Sequence, residues 1–556
     1  MDECDYVVVG GGSSGCALAG RLSEQSDQTV ALLEAGGMGD SWMIRTPAAG
    51  VFTVPTRIAN WAFETEPQPG LNGRRGYQPR GRALGGSSAI NAMVYVRGHR
   101  SDYDGWAALG NPGWSYDDVL PFFKASERNE DFGGEWHGRA GPLSVARSRT
   151  DNPFHAIFLQ AAREAQFPLC EDFNVPEPEG LGIYQVTQHN GERCSAARAY
   201  ILPHLGKRPN LCVECGARAR RILFEGARAI GVEYLQGPRT HVIRARREVI
   251  VSAGALQSPQ LLMLSGVGDA ETLRGFGIPV VAHLPGVGRN LQDHPDFIFG
   301  YEADSLDLLG LSVAGTARLL REIRRYHKTR SGMLASNFAE AGGFLKTRAD
   351  LAAPDVQLHF VVAMVDDHGR RLRRGHGYSC HVCLLRPHSR GSVKLRNPDP
   401  LTPPAIDPNF LGDPRDVEEM VAGFKLTRRL METPALASRR TRDLFTADVR
   451  DDDDIRAILR QRVDTVYHPA GTCRMGNDAA AVVDAALRVR GVQGLRVADA
   501  SIMPALVAGN TNAPAIMIGE KAAAMIRADA RDGSTLRARF PGLSEIKARP
   551  PGNSLS

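Results

Sequence analysis

A glycine cluster near the N-terminus has the spacing of a site that binds a dinucleotide. Gly10, Gly12 and Gly15 fit the pattern G-x-G-x-x-G immediately after the apolar residues 6–9. In this pattern the first glycine permits a tight turn, the second lets the backbone approach a pyrophosphate, and the third lets a helix pack closely on a strand. Glu34 lies about 20 residues further on, where an acidic side chain binds ribose hydroxyls. The pattern predicts a nucleotide site without deciding between NAD and FAD.

The elements that must hold this site are a strand, a helix and a second strand. Residues 6–9 and 30–33 are apolar runs typical of buried strands, and the small residues 16–22 between them favour a helix. Two strands joined by a helix in this way run parallel in one sheet. We expect the N–H groups and the positive dipole end of the helix to face the phosphates.

Composition places the chain among ordinary globular proteins and excludes several classes. Apolar residues make up 43% and charged residues 23% of the 556 residues, as in soluble proteins. The net charge of +5 is too small to predict binding to nucleic acid, and no apolar run reaches the roughly 18 residues of a membrane span. Nine scattered cysteines indicate free thiols and no structural metal. With no visible secretion signal, we expect a cytoplasmic protein, or one peripheral to the inner membrane.

Two basic clusters, residues 321–330 and 370–374, stand out from this background. They favour solvated surface, with contact to anionic lipid as the alternative. The sequence offers neither cluster an obvious apolar partner face, so we expect the first of these.

Later segments resemble the glucose–methanol–choline (GMC) oxidoreductases. Residues 81–91 (GRALGGSSAIN) are similar to the first signature of that family, and residues 254–268 (GALQSPQLLMLSGVG) to the second. Residues 467–472 (YHPAGT), 499–501 (DAS) and 509–514 (GNTNAP) follow in the order that the family has. The bacterial aliphatic alcohol dehydrogenases and the choline dehydrogenases look most similar.

The resemblance implies FAD as cofactor and an α/β fold (α+β overall). We expect a Rossmann-like FAD-binding domain from residues 1–150, 190–300 and 465–528. A substrate-binding domain on an antiparallel sheet would take residues 151–189 and 301–464, and the polar residues 529–556 would form a disordered tail. Some relatives attach FAD through a histidine where this chain has Ile90, so we expect noncovalent FAD.

The resemblance also implies where the cofactor lies. Gly85 and Gly86 would approach the flavin side, Val213 would contact the adenine through its backbone, and Asp499 would lie near the pyrophosphate. The residues that we expect to contact FAD are Gly10, Gly12, Ser13, Ser14, Gly15, Glu34, Ala35, Gly85, Gly86, Ser87, Asn91, Ala92, Met93, Val94, Val213, Ala253, Asp499, Ala500, Asn510 and Thr511.

Oxidation of an alcohol needs a base for the hydroxyl proton, a donor for the developing alkoxide and an acceptor for the hydride, which a flavin supplies. His468 occupies the catalytic histidine position of the family, and its ordinary pKa of ~6.5 suits proton transfer near neutrality. We predict Asn512 as the hydrogen-bond donor beside it. Asn510 is expected to hold backbone near the flavin, and His294 to hold a turn.

For the substrate we expect a primary, fairly apolar alcohol that leaves as an aldehyde, because residues 91–95 and 366–370 resemble the aliphatic alcohol group. Choline is the alternative; it would need aromatic faces and a carboxylate, to which Trp61 and Tyr467 could contribute. Residues 306–311 form an apolar patch, read equally well as a lid or as core. A quinone or another acceptor would reoxidise the flavin, with oxygen, as in an oxidase, as the rival. A flavin-binding role without catalysis is the remaining alternative, and the sequence leaves the oligomeric state open.

Overall fold

Most strands of the chain belong to two large sheets in the computed structural model, which describes residues 2–539. Numbered in chain order, the strands of these sheets are β1 (Glu3–Val9), β2 (Val30–Glu34), β3 (Gly180–Ile183), β4 (Leu211–Cys215), β5 (Ala217–Glu225), β6 (Arg228–Gln236), β7 (Arg239–Val251), β8 (Pro295–Glu302), β9 (Gly310–Leu311), β10 (Ala339–Leu345), β11 (Val356–Val361), β12 (Gly375–Leu384), β13 (Arg442–Asp443), β14 (Asp464–Thr465) and β15 (Leu495–Val497).

Helices of very different length surround the sheets. They are α1 (Ser13–Leu22), α2 (Trp42–Arg45), α3 (Gly50–Thr53), α4 (Arg100–Ala108), α5 (Tyr116–Ser126), α6 (Phe154–Glu164), α7 (Ala196–Tyr200), α8 (Gln257–Leu264), α9 (Ala270–Gly275), α10 (Val313–Thr329), α11 (Pro414–Met431), α12 (Pro434–Ala437), α13 (Asp452–Arg462) and α14 (Asn512–Arg539). Within residues 2–539, none of them combines the length and the apolar character needed to cross a bilayer.

The first sheet has the order β4-β2-β1-β7-β6-β5, with β15 also paired to β7. Strand β1 runs parallel to β2 and to β7, whereas β6 and β5 continue the sheet as antiparallel strands. Strand β2 and nearly all of β1 are buried, as expected for parallel strands covered on both faces. Helix α1 packs beside them and against α14. The predicted strand, helix and strand are confirmed, and so is the α/β class with a Rossmann-like sheet.

The carboxyl ends of the parallel strands meet at one edge of this sheet. Strands β1, β2, β7 and β15 end at Val9, Glu34, Val251 and Val497. In open α/β sheets, ligands bind in the crevice outside these ends. The glycine turn that follows Val9 therefore faces the place where a nucleotide is held.

The second sheet is antiparallel, in the order β13-β8-β12-β11-β10-β3, with β9 on β12 and β14 on β8. Alternate residues of β11 point to opposite faces. Leu358 and Phe360 lie in an apolar core with Phe158 of α6 and Phe424 of α11, so these helices cover that face. His359, on the other face of β11, lines a cavity.

Two predicted boundaries differ from the structure. Strand β8 starts at Pro295 and belongs to the second sheet, whereas the sequence predicts residues 190–300 in the FAD-binding domain. Its residues pair with β12, a strand of the predicted substrate-binding domain. Helix α14 continues to Arg539, so residues 529–539 are not a disordered tail. The carboxylate of Asp529 pairs with Arg488 and Arg496 and holds this part of the helix. Residues 540–556 lie outside the described residues, and the remaining boundaries stay predictions.

Gly15 shows why the turn after β1 needs glycine. A Cβ atom at this position would lie 1.9 Å from the carbonyl oxygen of Gly10, whereas a Cβ at Gly105 in α4 would meet nothing within 4 Å. We expect Gly15→Ala to lower the free energy of unfolding by about 1–3 kcal/mol, because α1 must move away from β1. Gly105→Ala is the control and should keep or slightly raise stability. Equal thermal unfolding midpoints for the two variants would contradict this account of the turn.

Candidate active site

One large cavity joins the edge of the first sheet to the open face of the second. Its volume is about 1510 Å³, and its walls include residues 9–14 at the nucleotide end and His359, His381 and His468 at the other end. Ordinary ligand pockets measure about 300–1,000 Å³. The cavity has room for an extended dinucleotide and a small substrate together.

The nucleotide end has the features that a pyrophosphate and a ribose require. The N-cap residue of α1 is Gly12, with no side-chain cap bond, and a Cβ there would meet only the Ser252 carbonyl oxygen at 3.8 Å. The backbone is therefore open to a ligand at the positive end of the helix dipole. Glu34 accepts the N–H groups of Gly11 at 3.0 Å and Gly36 at 2.7 Å. Burial raises the pKa of Glu34 to about 7, although these two hydrogen bonds lower it.

Most of the predicted cofactor residues line this cavity, but three do not. Gly15 packs α1 on the turn. Gly85 has a φ of 98° and donates its N–H to the Gly11 carbonyl oxygen. Val213 lies on β4, paired with Leu32, so its contact with adenine stays a prediction. The predicted cofactor residues that do line the cavity are Gly10, Gly12, Ser13, Ser14, Glu34, Ala35, Gly86, Ser87, Asn91, Ala92, Met93, Val94, Ala253, Asp499, Ala500, Asn510 and Thr511.

At the other end, hydrogen bonds decide which nitrogen of His468 carries a proton. His294 Nε2 lies 3.1 Å from the Leu385 carbonyl oxygen, which only accepts, so this nitrogen donates. In a neutral imidazole the other nitrogen is then an acceptor. His294 Nδ1 lies 3.0 Å from His468 Nδ1, so His468 donates from Nδ1. Its Nε2 is then the ring nitrogen without a proton, and it accepts hydrogen bonds.

Asn510, and not Asn512, is the hydrogen-bond partner of that unprotonated nitrogen. The Asn510 Nδ2 atom is 3.1 Å from His468 Nε2. The Asn510 Oδ1 atom accepts from Gln357 Nε2 at 3.0 Å, which fixes the amide with its NH₂ group toward the histidine. Asn512 Oδ1 accepts from Ser13 Oγ at 2.8 Å. The predicted pairing of Asn512 with His468 is wrong, because Asn512 begins α14 and its side chain is held at the start of α1.

The backbone that presents His468 is held in an uncommon conformation. Tyr467 has a φ of 78°, which costs free energy for a residue with a side chain. Buried hydrogen bonds compensate: the Tyr467 N–H donates to Thr465 Oγ1 at 2.6 Å, and the His468 N–H to Asp293 Oδ1 at 2.8 Å. The Tyr467 hydroxyl also forms a hydrogen bond with His368 Nδ1, at 2.8 Å. The imidazole is therefore positioned before any substrate arrives.

Burial also controls the protonation of the two histidines. It lowers the pKa of His468 well below the ordinary value, and the neighbouring His294 and His359 lower it further. Burial lowers the pKa of His294 to about 3. Both imidazoles are neutral near pH 7, as the hydrogen-bond pattern requires.

Sequence reasoning underestimated the role of His294 and missed His359. His294 is not a turn residue alone, since it contacts His468 directly. His359 is buried with no hydrogen-bond partner for either ring nitrogen, and burial lowers its pKa to about 3. His294 lies between Asp293 and Pro295, which favours a turn, but its contact with His468, 174 residues away, could not be predicted from the sequence. His359 sits in an ordinary alternating strand without such a signal.

Parallel strands buried on both faces, an open glycine turn and a neutral histidine on the same cavity are features of an enzyme that binds a dinucleotide cofactor. The sequence profile of the GMC oxidoreductases matches residues 4–296 and 387–519. The chain belongs to this family and is an FAD-dependent enzyme that acts on CH–OH groups.

Three known proteins show how far the similarity extends. The chain is 45% identical to "Alcohol dehydrogenase [acceptor]" of Pseudomonas putida, over 92% of this chain and 93% of that one. It is 45% identical to "Choline dehydrogenase, mitochondrial" of Mus musculus, over 92% and 87%. The crystal structure of pyridoxine 4-oxidase from Mesorbium loti superposes with a TM-score of 0.85 at 33% identity, over 94% of this chain and 99% of that one.

His294 provides a test of the tautomer. We expect His294→Leu to lower the rate of anaerobic flavin reduction by about tenfold or more, because His468 Nδ1–H loses its acceptor and the imidazole can turn or carry its proton on Nε2. His294→Gln should recover part of the rate, because its amide oxygen can accept from Nδ1. Stopped-flow absorbance measures the rate, and the flavin content of each variant controls for folding. Equal rates for the two variants would exclude an acceptor role of His294.

Proposed function

We propose that the protein oxidises primary, fairly apolar alcohols to aldehydes, with His468 as the base and Asn510 as the hydrogen-bond donor. The observation that supports this most is the convergence of His468 Nε2 and Asn510 Nδ2, 3.1 Å apart, on the cavity. One atom there can accept a proton and the other can only donate one. An alcohol hydroxyl needs both kinds of partner.

The residues divide the work as follows. The alcohol O–H replaces the Asn510 amide as the donor to His468 Nε2, and the alcohol oxygen accepts from the Asn510 N–H that this releases. As the proton moves to Nε2, the amide N–H stabilises the negative charge that develops on the oxygen. His294 holds the other side of the imidazole through its Nδ1. Bound FAD would supply the hydride acceptor.

The substrate end of the cavity suits an apolar chain. It is lined by Leu309, Leu334, Phe338, Val361 and Met364. These side chains have no nitrogen or oxygen atom that would need a hydrogen-bond partner. Contact of such residues with methylene groups favours binding by about 0.8 kcal/mol for each buried CH₂.

Charge and aromatic faces argue against choline. Among the described residues, the carboxylates that line the cavity are Glu34, Glu192 and Asp499. Glu192 pairs with Arg198 at 2.6 Å, and the other two accept backbone N–H groups. Each carboxylate therefore has a partner already, leaving none dedicated to a quaternary ammonium.

Trp61 is also engaged elsewhere. The guanidinium groups of Arg82 and Arg218 lie 4.7 Å and 5.1 Å from the centre of its ring. Choline remains the second candidate, because choline dehydrogenases are as similar in sequence as the alcohol dehydrogenase.

Two further features belong to this proposal. Ile90, which lines the cavity, has no nucleophilic atom to attach a flavin, so FAD is bound noncovalently; acid precipitation should release all of it into the supernatant. A quinone or a similar acceptor reoxidises the flavin, in line with the word "acceptor" in the name of the Pseudomonas putida relative. Rapid oxygen consumption by the purified enzyme would point to an oxidase instead.

An alcohol panel tests the function. We expect straight-chain primary alcohols to bleach the flavin absorbance anaerobically, with kcat/KM rising with chain length as more methylene groups are buried. The kcat/KM for choline should be at least about 100-fold lower than that for the best alcohol, because the charge of choline meets no free carboxylate. A kcat/KM for choline above that of every primary alcohol would replace the proposal by its alternative. No bleaching by any alcohol would leave a flavin-binding protein without this activity.

The two asparagines give the sharpest test of the site. We expect Asn510→Ala to lower the flavin reduction rate by about 100-fold or more while FAD stays bound, because the alkoxide loses its donor. Asn512→Ala is the matched variant, two residues away, and should mainly reduce FAD retention through the loss of the Ser13 contact. His468→Ala should lower the rate by orders of magnitude with FAD bound. Stopped-flow reduction and flavin content separate the two effects. If Asn512→Ala lowered the flavin reduction rate and Asn510→Ala did not, Asn512 would be the hydrogen-bond donor instead of Asn510.

A further inference from the structure

Helix α10 lies at the mouth of the cavity and is almost wholly exposed. Of its 17 residues, Tyr326 alone is buried. The helix is amphipathic: Leu319, Leu320 and Ile323 lie on one side, and Arg321 and Lys328 on another. Leu319 and Ile323 line the cavity. An apolar helix face of a water-soluble protein is normally packed against a core, so an uncovered one marks a contact surface.

Other apolar side chains continue this surface around the mouth. They come from α2, from α3, from β9 and from the loop between β11 and β12, where Leu372 is 80% exposed. Val313 and Leu320 of α10 are 91% and 61% exposed. We call this set the rim; its apolar members are Trp42, Val51, Phe52, Leu311, Val313, Leu319, Leu320 and Leu372.

Cationic side chains surround the apolar members of the rim. Those that are exposed and form no ion pair among the described residues are Arg45, Arg57, Arg321, Arg324, Lys328 and Arg374. Unpaired cations beside exposed leucine, phenylalanine and tryptophan side chains are the composition of elements that lie in a membrane interface. The two basic clusters of the sequence thus have the apolar partner face that the sequence alone did not reveal.

We propose that the rim docks on a bilayer that contains anionic phospholipid, with the apolar side chains inserted at the level of the headgroups and the mouth of the cavity facing the lipid. The charges of the rim and of such a bilayer are complementary. Each Lys or Arg near an anionic surface strengthens binding, and the apolar members add the burial of their side chains.

The charge also argues against a second copy of the chain as the occupant. A symmetric dimer places the same patch on both partners, so the unpaired cations of two rims would face one another. The docking of the rim does not depend on which alcohol is oxidised, so vesicle binding and turnover can fail separately.

Co-sedimentation of the FAD-loaded enzyme with vesicles tests the proposal. We expect binding to vesicles of phosphatidylcholine and phosphatidylglycerol, and binding weaker by about tenfold or more to phosphatidylcholine alone. Val313→Ser/Leu320→Ser removes two apolar members that do not line the cavity, and Arg321→Gln/Arg324→Gln/Lys328→Gln removes three charges. Each set should weaken binding to the anionic vesicles by about tenfold or more.

Matched controls are available far from the rim. Leu109→Ser/Val242→Ser changes two exposed apolar residues elsewhere, and Lys207→Gln/Arg239→Gln/Arg274→Gln changes three exposed cations elsewhere. Both should bind like the wild type, and flavin absorbance confirms that every variant is folded. The proposal is overturned if the wild type does not bind anionic vesicles, or if rim and control variants bind equally. It is also overturned if sedimentation velocity finds a dimer that the rim variants dissociate, because the rim would then join two copies.

Discussion

The carbonyl oxygen of Leu385 fixes the chemistry of the active site through two hydrogen bonds. Because this oxygen can only accept, His294 donates from Nε2 and accepts at Nδ1, and His468 must donate from Nδ1. A buried backbone carbonyl thereby leaves Nε2 as the unprotonated nitrogen of His468, beside the Asn510 amide in the cavity wall. Burial supports the same state, since it disfavours the charged form of both imidazoles. A base that must be neutral is held neutral by its surroundings.

This arrangement needs both sheets. The nucleotide end of the cavity is built from the turn after β1, the start of α1 and the end of β2, all in the first sheet. The second sheet supplies His359 and Gln357 from β11, and the amide of Gln357 orients Asn510. Asp293, just before β8, holds the backbone of His468. The base, its donor and the nucleotide end can meet only where the two sheets face each other.

The parts of the site that follow from local rules could be predicted from the sequence. The glycine turn and Glu34 belong to one strand–helix–strand unit, and their roles follow from spacing and backbone conformation. The choice between Asn510 and Asn512 could not be predicted in this way, because it depends on where α14 begins: Asn512 starts the helix and reaches Ser13, while Asn510 precedes it and reaches His468. Contacts of His294 and His359 depend on the packing of distant strands, which no local pattern encodes. The rim could not be predicted for the same reason, because the periodicity of the apolar residues of α10 does not show whether a core covers them.

The protonation of His468 is the most direct test of this account. Nitrogen-15 NMR of the FAD-loaded enzyme with labelled histidine, at pH 7, reports which ring nitrogen carries the proton, and a spectrum of His468→Gln assigns the signal. We predict a proton on Nδ1 and none on Nε2. An imidazolium signal, or a proton on Nε2, would contradict the hydrogen-bond chain from Leu385 and with it the role of His468 as base.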